Sequence, residues 1–68
     1  MHLFGLTDEQ WGWFIRIHKR HMKAFGTENQ KKYALENIIN IQYVKQEDTL
    51  IVYYDDIWWH YDKYGNWY

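Results

Sequence analysis

The sequence predicts an α+β domain in which two N-terminal helices pack on a three- to four-stranded antiparallel β-meander. Three observations carry that prediction. A capping-box signature at Thr7 opens a long amphipathic stretch. Near Ile39 the hydrophobic period changes from 3.6 to 2. Beyond it, polar turn signals divide a run in which eight of the sixteen residues 53–68 are aromatic.

The first helix is expected to start after Thr7, whose hydroxyl caps the amide three residues on while Gln10 reaches back. Leu6 and Trp11 are spaced as a hydrophobic staple, and Asp8 and Glu9 suit the positive end of the helix dipole. The stretch should run to about Phe25, with Gly26 as a left-handed stop. Viewed down the helix axis, Trp11, Phe14, Ile15, His18, Met22 and Phe25 fall in one arc, with Trp13, Ile17 and Ala24 widening its flank. Arg16, Lys19, Arg20 and Lys23 gather opposite. The apolar arc is broader than that of an ordinary surface helix, enough to cover a sheet and touch something more.

Thr27-Glu28-Asn29-Gln30 repeats the capping-box spacing and predicts a second helix over residues 28–37, with Tyr33, Ala34, Leu35 and Ile38 as its apolar side. Glu28 and Lys32 form an i,i+4 pair there. Strands are then expected at 41–45, 49–54 and 57–61. Gln46-Glu47-Asp48 separates the first two and the two-residue turn Asp55-Asp56 the others. Asp62-Lys63-Tyr64-Gly65 fits a type I turn with a left-handed glycine, returning the chain as a short fourth strand over 66–68.

Strand alternation splits the aromatics. Ile57, Trp59 and Tyr61 point one way and Trp58 and His60 the other; Leu50, Val52 and Tyr54 oppose Thr49, Ile51 and Tyr53. Neither strand has a clean polar side, although a one-sided antiparallel sheet should be apolar within and polar without. One side is core, and the alternation leaves open which. The other is surplus aromatic surface, of the kind that tiles an exposed sheet or anchors a protein interface. The residues expected to anchor a partner are Tyr53, Trp58, His60, Trp67 and Tyr68, with Trp13 on the helix flank.

Length and composition narrow the function classes. Sixty-eight residues make a single domain over 1–68 with a small core that needs help. There is no cysteine, so aromatic burial or a partner chain supplies it, and a reducing compartment fits. Residues 1–6 are apolar but too short, and too close to Asp8-Glu9, for a leader or span. The expectation is therefore a cytoplasmic protein without membrane association. Net charge is −1, unevenly placed: residues 1–26 carry +2 and residues 27–68 carry −3.

Catalytic and cofactor signals are weak. His18 and His21 stand at a helical spacing that supports metal ligation, with His60 or Asp62 as a third ligand. Without cysteine or an HExxH arrangement, core and helix-end roles are the expected ones, and neither metal nor cofactor is assigned. Asp55, Asp56 and Asp62 form a carboxylate set, but each sits in a turn where aspartate bonds locally. No nucleophile triad or phosphate loop is present, so the chain reads as non-enzymatic. The Arg16, Lys19, Arg20, Lys23 stripe offers an alternative function, nucleic-acid binding, against which stands the acidic meander.

Thr7-Asp8-Glu9-Gln10-Trp11 opening a His/Lys-rich helix, and residues 52–61 leading into Gly65-Asn66-Trp67-Tyr68, together resemble small proteins encoded by phages and prophages of Gram-positive bacteria. The resemblance covers about half the chain and carries no catalytic motif. It implies an accessory role in the host cytoplasm: binding a host or defence protein and inhibiting or redirecting it. With the aromatic surface, this gives a protein-binding module acting as a homodimer or larger homo-oligomer.

Overall fold

A computed structural model describes residues 3–68; Met1 and His2, part of the short apolar start, lie outside the described residues. The first helix, α1 (Asp8–Lys23), begins as its capping box dictates. The Gln10 amide donates to Thr7 Oγ1 at 3.1 Å and the Thr7 amide to Gln10 Oε1 at 3.0 Å, satisfying two amides that the helix leaves without partners. Phe14, Ile17, His18 and His21 are buried, and Arg16, Lys19, Arg20 and Lys23 are exposed. No helix among the described residues is long and apolar enough to cross a membrane.

α1 stops at Lys23, with Ala24 as its cap, short of the expected Phe25. Gly26 is not a left-handed stop: at φ −71°, ψ 171° it is extended and serves as the N-cap of α2 (Thr27–Lys32). The last turn of α1 instead tightens, with Phe25 N–H on Met22 O at 3.2 Å, so no left-handed residue is required. Thr27 is consequently the first residue of α2 rather than its cap, and Gln30 turns its amide to Phe25 O at 3.0 Å.

Nor does α2 reach residue 37. Ala34 swings to ψ 159°, and the chain resumes helical turning only as a 3₁₀ turn, Leu35–Asn37. Two side-chain partners for the terminal carbonyls, one local and one distant, support the break. Asn37 Nδ2 donates to Lys31 O at 2.8 Å, and the Tyr54 hydroxyl donates to Tyr33 O at 2.9 Å. With those acceptors satisfied from outside the helix, ending it costs little. Lys32 lies 3.0 Å from Asp56, pairing with the β-hairpin turn rather than with Glu28.

The sheet is an antiparallel meander, β1 (Asn40–Val44), β2 (Thr49–Tyr53) and β3 (Trp58–Asp62), in the order β1-β2-β3. The Asp55-Asp56 turn is the two-residue hairpin expected, closed by Tyr54 N–H on Ile57 O at 2.8 Å. Gly65 is left-handed, at φ 88°, and brings the chain back beside β3. A fourth strand does not form. Residues 66–68 make one bridge, Tyr61 to Trp67, with His60 and Tyr68 exchanging backbone bonds of 2.8 and 3.0 Å.

The register decides which face is core. Ile41, Val52 and Trp59 form one row across the sheet, and Tyr43, Leu50, Tyr61 and Trp67 the next. Ile41, Leu50, Val52 and Tyr61 are buried there with Phe14 and Ile17 of α1. Phe14 stacks on Tyr61 with ring centroids 5.8 Å apart and planes 17° from parallel. The Trp59/Tyr61 side therefore faces the helix, and the Trp58/His60 side faces away.

Candidate functional site

The outer sheet face brings together four of the six residues expected to anchor a partner. Tyr53 and Trp58 are cross-strand neighbours, and Trp58 is 59 % exposed. One row on, His60 lies beside Ile51 and stacks on Tyr68, with centroids 4.9 Å apart and planes 3° from parallel. Tyr68 remains 62 % exposed. The Tyr53 hydroxyl donates to Gln42 Oε1 at 3.1 Å, which holds the ring across the β1–β2 pair. Ile51, half-buried between these rings, belongs to the patch and was hidden in the sequence by its place in a uniformly apolar strand.

Of the other two expected anchors, Trp67 leaves the outer face, whereas Trp13 stands on the helix flank as expected. Trp67 pairs with Tyr61 and so shares its inner face; its ring stacks on His21 at 5.0 Å and packs against the core. Trp13 donates its indole N–H to Asp62 O at 2.8 Å and meets Tyr43 edge-on at 6.1 Å. It fastens α1 to the end of β3.

The acids at the ends of the strands are largely engaged in local structure. Asp62 accepts from the Tyr64 and Asn66 amides, each at 2.9 Å. These bonds, that of Asn66 foremost, hold its carboxyl below the usual range. The hydrogen bond from Lys32 does the same for Asp56. Asp48 accepts the Tyr43 hydroxyl at 2.8 Å and lies 3.7 Å from Lys63. Asp55 and Asp56 line a shallow cleft of about 380 Å³ with Lys32, Asn37 and Tyr54, where Asp56 is paired with Lys32; this is turn and ion-pair chemistry.

His18 and His21 converge on a phenol. Tyr61 Oη lies 2.7 Å from His21 Nδ1 and 3.4 Å from His18 Nδ1. His60 is on the opposite side of the sheet, and Asp62 is taken up by its turn. Among the described residues no three His, Cys, Asp or Glu side chains form a group able to hold a metal ion. His21 is fully buried in an aromatic box of Phe25, Trp59, Tyr61 and Trp67, with centroid distances of 4.5–5.6 Å. Its Nε2 has no hydrogen-bond partner. Burial, and secondarily the neighbouring His18, push its pKa down to about 4, and burial lowers that of His18. Desolvation also raises the pKa of Tyr61. All three are held neutral, as an interior that cannot solvate charge requires.

The basic stripe is divided by the fold. Arg16 and Arg20 line a cleft of about 260 Å³ between α1 and the turn after β3, together with Trp13, Ile17, Lys63, Tyr64 and Gly65. Lys19 and Lys23, although exposed, are not part of it. Sequence reasoning missed Lys63, Tyr64 and Gly65 as members of any site, because only the meander's return brings them beside the helix. The one local signal was Gly65, whose left-handed turn aims the chain that way.

Against this geometry, no family model, curated protein or solved structure matches the chain.

Proposed function

We propose that this chain is a non-enzymatic accessory protein that binds and modulates another protein through the outer face of its sheet. The observation supporting this reading is that exposed Trp58 and Tyr68, with half-buried Tyr53 and His60, form one aromatic surface on the side away from the helix, while the core is built from other residues. Aromatic rings of this kind are the commonest energetic anchors of protein interfaces. The phage-type resemblance supplies the form of the activity: inhibition of a host or defence protein. In the absence of that partner, the same face pairs two copies of the chain.

Light scattering at tens of micromolar tests the reading, with Trp58→Ser/Tyr68→Ser as the comparison. The wild type is expected to be a dimer or larger and the double variant a monomer with an unchanged circular dichroism spectrum. In affinity capture from a lysate of the cell that makes it, at least one protein should be retained by the wild type and lost with the double variant. A wild-type monomer, together with identical captured proteins for both chains, overturns the proposal.

A further inference from the structure

From the cleft between α1 and the turn after β3, we infer a second binding site, for the phosphate group of a nucleotide. Three cationic side chains, Arg16, Arg20 and Lys63, line it, and none of the lining residues is acidic. Arg16 and Arg20 have no carboxylate partner among the described residues, and like charges four apart on a helix repel. A bound anion removes that repulsion. Two guanidinium forks on one helical face match the oxygens of a phosphate in a way that ammonium groups do not. Lys63, 3.7 Å from Asp48 and more than half exposed, adds a third charge from the opposite wall.

The turn is shaped to admit Arg20. A Cβ on Gly65 would lie 2.8 Å from Arg20 Nη1, and Gly65 has φ 88°. A side chain there would displace the guanidinium as well as strain the backbone. The glycine thus allows the arginine to lie directly over the turn.

The class of ligand follows from size and from the rim. The cleft is below the range of about 300–1,000 Å³ typical of pockets that enclose a drug-sized ligand. It accommodates a phosphate and the atoms next to it, leaving the rest of the ligand outside. At its rim, Tyr64 is 76 % exposed, with Lys63 Nζ 5.4 Å from its ring centroid. An exposed aromatic ring beside a phosphate site is a stacking platform for a base. The ligand is a nucleotide 5′-phosphate, either free or at the end of a strand. This site is separate from the outer sheet face and independent of the partner bound there.

Calorimetric titration of the full chain at low salt provides the test, with inorganic phosphate, adenosine, adenosine 5′-monophosphate and a 5′-phosphorylated oligothymidylate as probes. The monophosphate is expected to bind about tenfold tighter than phosphate through base stacking, and tighter than adenosine. Arg16→Gln and Arg20→Gln should each weaken it by at least about tenfold without changing the melting temperature. Tyr64→Ser should reduce the monophosphate to the affinity of phosphate. Trp58→Ser/Tyr68→Ser should leave every affinity unchanged. Tighter binding of the oligonucleotide than of the monophosphate identifies a strand end as the ligand; weaker binding identifies the free nucleotide, and equal binding shows that the site accepts the 5′-phosphate of either. The inference is overturned if no probe binds, if adenosine binds as well as its monophosphate, if phosphate binds as well as the monophosphate, or if both arginine variants retain wild-type affinity. Arg16 is exposed on the helix surface, so its variant remains informative if Arg20→Gln loosens the turn.

Discussion

Trp58 and Trp59 are adjacent in the chain, yet they occupy different environments. Trp59 packs edge-on against His21 at 4.5 Å and lies 6.1 Å from both Phe25 and Tyr33. Trp58 stands mostly in solvent beside Tyr53. The same contrast holds one step along β3, where Tyr61 is completely buried and His60 is half-buried and stacks on Tyr68. A strand sends alternate side chains to opposite faces, so one short segment supplies both a core and an outer aromatic face. In a chain this small the arrangement is economical. The inner set provides the burial that a disulfide-free domain needs, and the outer set is free to serve binding.

The largest way to test that contrast is to remove the inner anchor. Tyr61→Ala deletes a fully buried ring that stacks on Phe14 and gives up its contacts with both helix histidines. A loss of about 3–5 kcal/mol is expected, a large share of the stability of a small domain. Circular dichroism melting should show a chain largely unfolded at room temperature. A cooperative transition near that of the wild type would mean the inner face is not the core.

Acidification attacks the same interior without a mutation. His18 and His21 have folded pKa values below the unfolded 6.5, so the unfolded chain binds protons first. Their stabilising contribution is fully present above pH 6.5 and is lost as pH falls through the lowered folded values, about 4 for His21. The His21 part amounts to up to about 3 kcal/mol. Urea unfolding at successive pH values should show the decline beginning above the ordinary carboxylate range. A stability that stays flat from pH 7 to 5 would place the histidines in a more solvated setting.

The smallest expected effect belongs to the outer face. Trp58→Ser forfeits a cross-strand neighbour and should cost about 0.5–1 kcal/mol, while removing much of the surface for association. If its thermal stability instead fell as far as that of Tyr61→Ala, the distinction between working surface and core would be lost.

The parts of the fold legible in the sequence were those whose cause is local. Thr7 and Gln10 cap α1 as their spacing requires, Asp55-Asp56 closes a hairpin, and Gly65 turns left-handed. One failure came where a distant group intervened and another from a local change in the last helical turn. The second helix breaks where Asn37 and the Tyr54 hydroxyl take its carbonyls, and residue 54 lies on another element. Gly26 resembled a helix stop, but a tightened last turn removed the need for one. For the outer face, alternation placed Tyr53, Trp58 and His60 together. Trp67 was misplaced because its side is fixed by pairing with Tyr61, which no local pattern reveals.

What the sequence by itself determined is the inventory: helices before strands, three turns, and two aromatic sets on alternate positions of β3. Those follow from backbone propensity, capping and the two-residue repeat, all short-range. The tertiary structure decided which set is buried, since only docking of Phe14, His18 and His21 against Tyr61 distinguishes one face from the other. It also decided that half of the basic stripe would meet Lys63 and Tyr64 across a cleft. Both decisions depend on packing between residues forty or more positions apart, where burial and close fit outweigh anything a local stretch of chain encodes.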